Sequence, residues 1–218
     1  MAFGYNVRMS DTVQSLLILL PILLISMSIH EMMHAFTSDW LGDDTARVMG
    51  RVSLNPLPHI DPIWTVAIPI LLLVTHSPFL FGAAKPVPVN FSRLKYREFG
   101  GAIVGAAGPL TNLLIAAVAA LAFNKINPAL GSTTYNIFKL TIELNIGLFL
   151  FNMIPVPPLD GSRVLYAFAP RPLQEVMEAI ERSGMLSVAI LVLILYQTGA
   201  LLTIFEKLLN FLAPGLLL

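Results

Sequence analysis

The chain carries the pattern His30-Glu31-Met32-Met33-His34 inside an apolar run that extends from about residue 12 to residue 41. Residues four apart lie on one face of an α-helix, so His30 and His34 can present their imidazoles to one metal ion. Glu31 lies about 100° around the helix from His30, where it can act as general base on a water at that metal. The alternative is a helix interior in which these side chains only make hydrogen bonds. Ionisable residues in an apolar run are costly unless they have a function, which favours the zinc site.

The composition indicates that this helix lies in a membrane. Hydrophobic residues make up 56% of the chain and charged residues 12%, whereas a soluble domain has about 25% charged residues. The mean hydropathy is +0.77. The chain has no cysteine, which excludes disulfides and cysteine-based zinc sites, and its zero net charge gives no indication of a nucleic-acid partner. Lipid is therefore the expected surrounding, and any metal must be held by His, Asp or Glu.

The spacing of the apolar runs predicts an all-α polytopic membrane protein with about four to six membrane segments. The run at 63–75 is short for a span and contains Pro69, which favours a re-entrant segment. Residues 83–90 contain alternating prolines and are expected to form a short extended, β-like element near the site. The expected single domain, 1–218, consists of a metal-binding helix at 12–41, a re-entrant segment and extended loop at 63–99, spans at 101–123 and 137–168 with a break at 155–160, and a C-terminal span at 185–204.

A third metal ligand is needed, because a hydrolytic zinc site has three protein ligands and one open position. The remaining histidines, His59 and His76, lie in predicted loops. Asp160 follows a proline-rich break at membrane depth, where irregular backbone is tolerated only if it lines a protein cavity. Asp160 is therefore the best third ligand. The alternative is that Asp160 only caps the helix that starts after the break.

The requirement that Asp160 meet the two histidines also constrains the topology. Their two helices should run parallel, which requires an odd number of crossings between them, so one of the runs 63–75 and 101–123 should not cross. The shorter run is the candidate. Loops 42–62, 76–100 and 163–183 then share one face and carry two, four and three basic residues, nine of the thirteen in the chain. The positive-inside rule makes this face cytoplasmic, with the metal nearer to it.

Three blocks of sequence resemble the site-2 protease family, the M50-type intramembrane zinc metalloproteases, in a compact form without PDZ or CBS domains. These blocks are His30-Glu31-x-x-His34, Gly108-Pro109-Leu110-x-Asn112, and Asn152-x-x-Pro155-x-Pro157-x-Leu159-Asp160-Gly161. The resemblance implies that His30, His34 and Asp160 bind Zn²⁺ and that Glu31 is the catalytic base. It also implies that Asn152 positions the substrate or stabilises the transition state.

The function expected from this resemblance is hydrolysis of peptide bonds within or next to transmembrane segments of membrane proteins. Lys85, Val87 and Val89 are the candidate substrate-binding residues of the extended element, which could pair with an unwound substrate. Asn112 could donate to the oxyanion with Asn152, or it could pack against another span. Gly101, Gly105 and Gly108 give the span at 101–123 a face for close packing.

The expected partners are a transmembrane-segment substrate and membrane lipid, in a bacterial or archaeal cell membrane. The second class of function is a non-catalytic membrane protein, either a metal transporter or an inactive protease-like binder. A transporter should carry ionisable residues along a path across the membrane, whereas here they cluster at one depth. An inactive binder would have lost Glu31 or a histidine, and this chain has both.

Overall fold

The computed structural model describes residues 9–67, 71 and 84–216, and every regular element within these residues is helical. Two 3₁₀ turns, Leu57–His59 and Phe91–Arg93, and a π-helical segment, Pro62–Ala67, lie in the connections. The α-helices of the described residues are α1 Met9–Trp40, α2 Thr45–Val48, α3 Glu98–Ile126, α4 Thr133–Asn152, α5 Gly161–Phe168, α6 Arg171–Arg182, α7 Met185–Thr198 and α8 Ala200–Leu212.

Two of these helices are long and apolar enough to cross a membrane. They are Leu17–Trp40, which belongs to α1, and Glu98–Ile126, which is α3, with 24 and 29 residues. A hydrocarbon core of about 30 Å needs about 20 helical residues. Large apolar side chains on α3 are exposed, including Leu114 at 62% and Leu121 at 71%. An apolar surface of this kind suits lipid better than water.

Helix α3 is the centre of the architecture, because α1, α4 and α5 all pack against it. Its glycines allow this close approach, as the sequence predicted. A Cβ added at Gly105 would lie 2.8 Å from Cβ of Arg163 and 2.9 Å from the carbonyl oxygen of Asp160, both too close for any side chain. The glycine therefore lets Asp160 and the start of α5, which follows it, sit directly against α3.

A separate apolar core joins the far half of α3 to α4 and to the end of the chain. Its fully buried members include Ile142, Ile146 and Leu209, and they pack around Ala116 and Ala120 of α3. The small alanines bring α3 and α4 close together, and the larger aliphatic side chains fill the space towards α8. This core holds α4 in place, which matters because α4 leads into the break before Asp160.

The two later predicted spans are divided in the structure. The expected span at 137–168 consists of α4 and α5, with residues 153–160 between them. The expected C-terminal span at 185–204 consists of α7 and part of α8, separated at Gly199. Gly199 has φ of 62°, a left-handed conformation that ends the first helix. Apart from Gln197 and Thr198 the sequence on both sides of Gly199 is apolar, and the predicted span ran through this boundary.

The re-entrant segment predicted at 63–75 lies mostly outside the described residues, which include only 63–67 and 71 of it. The β-like element predicted at 83–90 is described from residue 84, and residues 84–90 have no regular secondary structure. No strand occurs in the described parts of the chain. The segment is nevertheless held at several points, which are described with the site below.

Candidate metal centre

Three side chains that are far apart in the sequence meet at the centre of the described fold. Nε2 of His30 and Nε2 of His34 lie 3.0 Å apart. Oδ2 of Asp160 lies 3.2 Å from the first of these nitrogens and 3.3 Å from the second. Both imidazoles are buried, with 6% of each residue exposed. These are the three ligands predicted from the sequence, and the structure brings them together.

The other nitrogen of each imidazole has a partner of its own. Nδ1 of His34 lies 2.7 Å from the backbone carbonyl oxygen of Val104 in α3. A carbonyl oxygen only accepts, so Nδ1 of His34 must carry a proton, and Nε2 of the neutral ring then presents a lone pair. Nδ1 of His30 lies 2.6 Å from Oδ1 of Asn112, also in α3. Such contacts fix the ring orientation of metal-binding histidines.

The donor set fits zinc. Two ring nitrogens and a carboxylate oxygen at mutual distances of 3.0 to 3.3 Å leave unfavourable contacts between electron pairs unless a cation lies among them. A tetrahedral zinc ion with bonds of about 2.0–2.1 Å places its ligand atoms about 3.3 Å apart. Gly108 supports the same conclusion, since a Cβ added there would lie 2.7 Å from Nε2 of His30 and would also clash with Nε2 of His34.

Asp160 reaches the histidines because the chain folds back after α4. A Cβ added at the next residue, Gly161, would clash with the carbonyl oxygen of Met153 and lie 2.9 Å from that of Ile154. The glycine therefore allows the break to fold tightly against the end of α4. The side chain of Asp160 makes no capping hydrogen bond to α5, so the helix-cap alternative does not describe it.

Glu31 follows the first ligand on α1 and is partly buried. Its negative charge acts on His34 in the metal centre and on the guanidinium of Arg51 in the following loop. Burial lowers the pKa of Arg51, and the charge of Glu31 offsets part of that effect. Glu31 is thus close enough to the ligands for its charge to act on them, and it is not one of the three residues whose donor atoms converge.

The two predicted asparagines have different surroundings. Asn152 is the last residue of α4, is partly buried, and donates from Nδ2 to the carbonyl of Leu148 at 3.0 Å. Asn112 is completely buried, and both ends of its amide are used, by His30 at 2.6 Å and by Asn145 at 2.8 Å. Both contacts lie inside the fold, which supports the alternative of packing against another span, with polar contacts added. The oxyanion or substrate role of Asn112 stays a prediction.

The extended segment 84–90 is attached to the loop before it through Arg51. This arginine is buried, with 4% exposed. Its Nη1 donates to the carbonyl of Pro58 at 2.5 Å, and its Nη2 donates to the carbonyls of Lys85 and Pro86, the latter at 3.0 Å. The backbone N–H of Lys85 in turn donates to the carbonyl of His59 at 2.8 Å. His59, which lies in a predicted loop, is thus a backbone partner of the segment.

The three predicted substrate-binding residues of this segment differ in whether their side chains and backbone groups are free to contact a substrate. Lys85 has an exposed side chain, but its backbone is already hydrogen-bonded. Val89 packs against the cluster of Leu41, Leu94 and Val104, so its side chain is used in the fold. The backbone N–H and C=O of Val87 have no hydrogen-bond partner within the described residues. Val87 is the position with pairing capacity left.

Asp43 ties the far end of the segment to α1 and was not identified from the sequence. Its fully buried carboxylate accepts from the backbone N–H of Asn90 at 2.7 Å, the hydroxyl of Thr45 at 2.5 Å and the hydroxyl of Ser38 at 3.1 Å. Burial opposes the charged form, yet these hydrogen bonds outweigh it and lower the pKa of the carboxyl below its usual value. The backbone N–H of Thr45 also donates to it, at 3.2 Å, and a buried carboxylate with four donors is a strong local constraint.

Two buried histidines four residues apart, an adjacent glutamate and a distant aspartate define a site of the zinc-metalloprotease class. The model of peptidase family M50 matches residues 125–196. YwhC of Bacillus subtilis, named as a proposed zinc metalloprotease, is 38% identical over 169 residues, which is 74% of this chain and 74% of that protein. The chain belongs to peptidase family M50, the site-2 protease family.

Further relatives carry names of the same kind. Rip2 of Mycolicibacterium smegmatis is 26% identical over 174 residues, or 78% of this chain and 64% of that protein. MJ0611 of Methanocaldococcus jannaschii is 40% identical over 62 residues, or 28% of this chain and 31% of that protein. Both are named as proposed zinc metalloproteases. No solved structure matches the chain.

Proposed function

We propose that this protein is an intramembrane zinc protease that hydrolyses peptide bonds within or next to transmembrane segments of other membrane proteins. The observation that carries the proposal is the convergence of Asp160 with His30 and His34, which lie on a helix long and apolar enough to cross a membrane. Glu31 is adjacent to this site. An ion-binding site alone would not need a carboxylate that neighbours the ligands without being one of them.

The residues would divide the reaction as follows. His30, His34 and Asp160 would hold zinc, which would supply Lewis acidity for the scissile carbonyl and would lower the pKa of a water to about 7. Glu31 accepts a proton from the attacking water as the carbon–oxygen bond forms. It then delivers that proton to the amine as the carbon–nitrogen bond breaks. Asn152 donates to the oxygen of the tetrahedral intermediate.

The substrate must unwind before it is cut, because the carbonyls of a helix are occupied by hydrogen bonds. An extended segment at 84–90 offers a surface for pairing with the unwound chain. Pro86 and Pro88 have no backbone N–H, so only the residues between and beside them can donate to a paired strand. The backbone N–H of Lys85 already donates to the carbonyl of His59. Val87 is therefore the central pairing residue of this proposal, with Lys85 contributing its exposed side chain.

The proposal also includes the arrangement in the membrane. The chain would cross several times, within the expected four to six segments, and the zinc would lie nearer the cytoplasmic face of a bacterial or archaeal cell membrane. Support comes from the basic residues of loops 42–62, 76–100 and 163–183. The surrounding lipid would contact the exposed apolar side chains of α1 and α3.

The test is cleavage of a purified model substrate that contains one transmembrane segment. The full chain in detergent or lipid should cut it within or next to that segment, as located by mass spectrometry. A zinc chelator should abolish cleavage, and added Zn²⁺ should restore it. Binding of the substrate with no cleavage in the presence of zinc would contradict the proposal and favour an inactive protease-like binder.

Replacing Arg51 with methionine tests the role of the extended segment. The change removes the hydrogen bonds that hold the carbonyls of residues 58, 85 and 86. We expect cleavage to fall about 10- to 100-fold, since a misplaced substrate surface is costly, while zinc affinity stays the same. The matched control is Arg47→Met. The side chain of Arg47 is 61% exposed and forms a surface ion pair with Asp39, so its loss should leave cleavage unchanged. Equal cleavage by the two variants would refute the role of Arg51.

A further inference from the structure

A line of buried amide side chains connects the metal ligand His30 to the backbone of α4. Asn112 contacts Nδ1 of His30 at 2.6 Å and donates from Nδ2 to Oδ1 of Asn145 at 2.8 Å. Asn145 donates from Nδ2 to the carbonyl oxygen of Thr141 at 2.8 Å and to the hydroxyl of Ser26 at 3.0 Å. Both asparagines are 0% exposed. Helices α1, α3 and α4 therefore share one polar line in an otherwise apolar region.

The direction of every hydrogen bond in this line is set by the carbonyl of Thr141. A carbonyl oxygen only accepts, so the NH₂ group of Asn145 must face it and Oδ1 of Asn145 must face Asn112. Asn112 must then donate its own NH₂ to Asn145, which leaves Oδ1 for His30. Because this amide oxygen only accepts as well, the proton of the neutral His30 imidazole belongs on Nδ1. The hydroxyl of Ser26 can donate or accept and imposes no direction.

We propose that Asn145 is a positioning residue of the metal centre, which acts through Asn112 to keep the proton of His30 on Nδ1 and Nε2 free to bind zinc. His34 needs no such relay, because the backbone carbonyl of Val104 holds its Nδ1 directly. With the amides reversed, NH₂ of Asn112 would face His30 and favour the proton on Nε2, where the metal binds. The inference rests on the proposed zinc site, and it is independent of proteolysis.

The first test measures zinc affinity by competition with a chelator on the purified full chain. Asn145→Leu keeps the number and branching of the side-chain heavy atoms and removes the relay, and we expect zinc affinity to fall about 10- to 100-fold. The matched control is Asn136→Leu, an asparagine that is also on α4 and is not part of the line. An unchanged affinity in Asn145→Leu would overturn the proposal.

A double-substitution cycle separates a relay from a general loss of packing. Asn112→Leu should weaken zinc binding at least as much as Asn145→Leu. In the Asn112→Leu background the second substitution should add less than about twofold, since the relay from Asn145 to His30 passes through Asn112. Losses that multiply would show that Asn145 acts independently of Asn112, and the proposal would fail.

The second test uses the wild-type protein, so it does not depend on whether a variant of Asn145 folds. Nitrogen NMR of zinc-free, histidine-labelled wild type distinguishes a proton on Nδ1 from one on Nε2, and the chain has four histidines, of which His30 is assigned by substitution. The relay predicts a proton on Nδ1 of His30, and a proton on Nε2 would overturn it. If wild type bound zinc tightly and cut no substrate, the proposed function would be refuted. The relay would still be decided by the zinc affinities and by the position of the proton on His30.

Discussion

Replacing Glu31 with glutamine should lower the cleavage rate about 100- to 10,000-fold, the range that a general acid–base residue contributes. Glutamine has nearly the same shape as glutamate, but it cannot take a proton from the attacking water. The zinc content should not change, because the converging donor atoms belong to His30, His34 and Asp160. The measurement is the rate of substrate cleavage, normalised to bound zinc in the same preparation.

The matched control is Glu175→Gln. This glutamate is 62% exposed in an ion pair with Arg171 on α6, so the substitution should change neither cleavage nor zinc content. Two results would contradict the assignment of Glu31. Cleavage at the wild-type rate would exclude it as the base, and loss of zinc from Glu31→Gln would mean that it holds the metal.

The metal ligands could be predicted from the sequence because each belongs to a local pattern. The spacing of His30 and His34 places them on one helix face whatever the rest of the chain does. Asp160 was identified because it follows prolines that must break a helix at membrane depth. The structure adds what no pattern contains, namely the distances of 3.0 to 3.3 Å among the three donor atoms.

The residues that support the site could not be predicted in the same way. Asn145 and Arg51 each have partners that are distant in the sequence, such as Asn112 at 33 residues and Lys85 at 34 residues. A polar residue in an apolar run indicates that it has a partner, but not which one. For this reason the sequence left two roles open for Asn112, at the oxyanion or in packing against another span, and both of its contacts in the structure are inside the fold.

The helical framework was predictable in outline, and its interruptions were less so. The long apolar runs correspond to α1 and α3, since length and hydropathy are enough to indicate such helices. Gly199 divides the C-terminal run without a proline beside the break, and Gln197 and Thr198 are the polar residues that precede it. A glycine within an apolar run is compatible with a continuous helix, a close contact or a left-handed turn, and only the fold decides among them.

Replacing Gly108 with alanine should weaken zinc binding by about 100-fold or more and abolish most cleavage. The added Cβ would lie 2.7 Å from Nε2 and 2.8 Å from Cδ2 of His30, and it would also clash with Nε2 of His34. Either α3 moves away from α1 or both imidazoles turn away from Asp160. Both responses separate donor atoms that zinc requires to converge.

Gly147→Ala is the matched control for this prediction, because it makes the same change inside the neighbouring helix α4, where nothing lies within 4 Å of an added Cβ. There alanine should raise helix stability by about 0.5–1 kcal/mol and leave zinc affinity unchanged. Both variants replace a helical glycine with alanine and so raise helix propensity equally. A difference in zinc affinity between them therefore cannot be explained by helix propensity. If Gly108→Ala bound zinc as tightly as Gly147→Ala, the two imidazoles could not be packed against the backbone of α3. The absence of a side chain at residue 108 would then have no part in forming the metal centre.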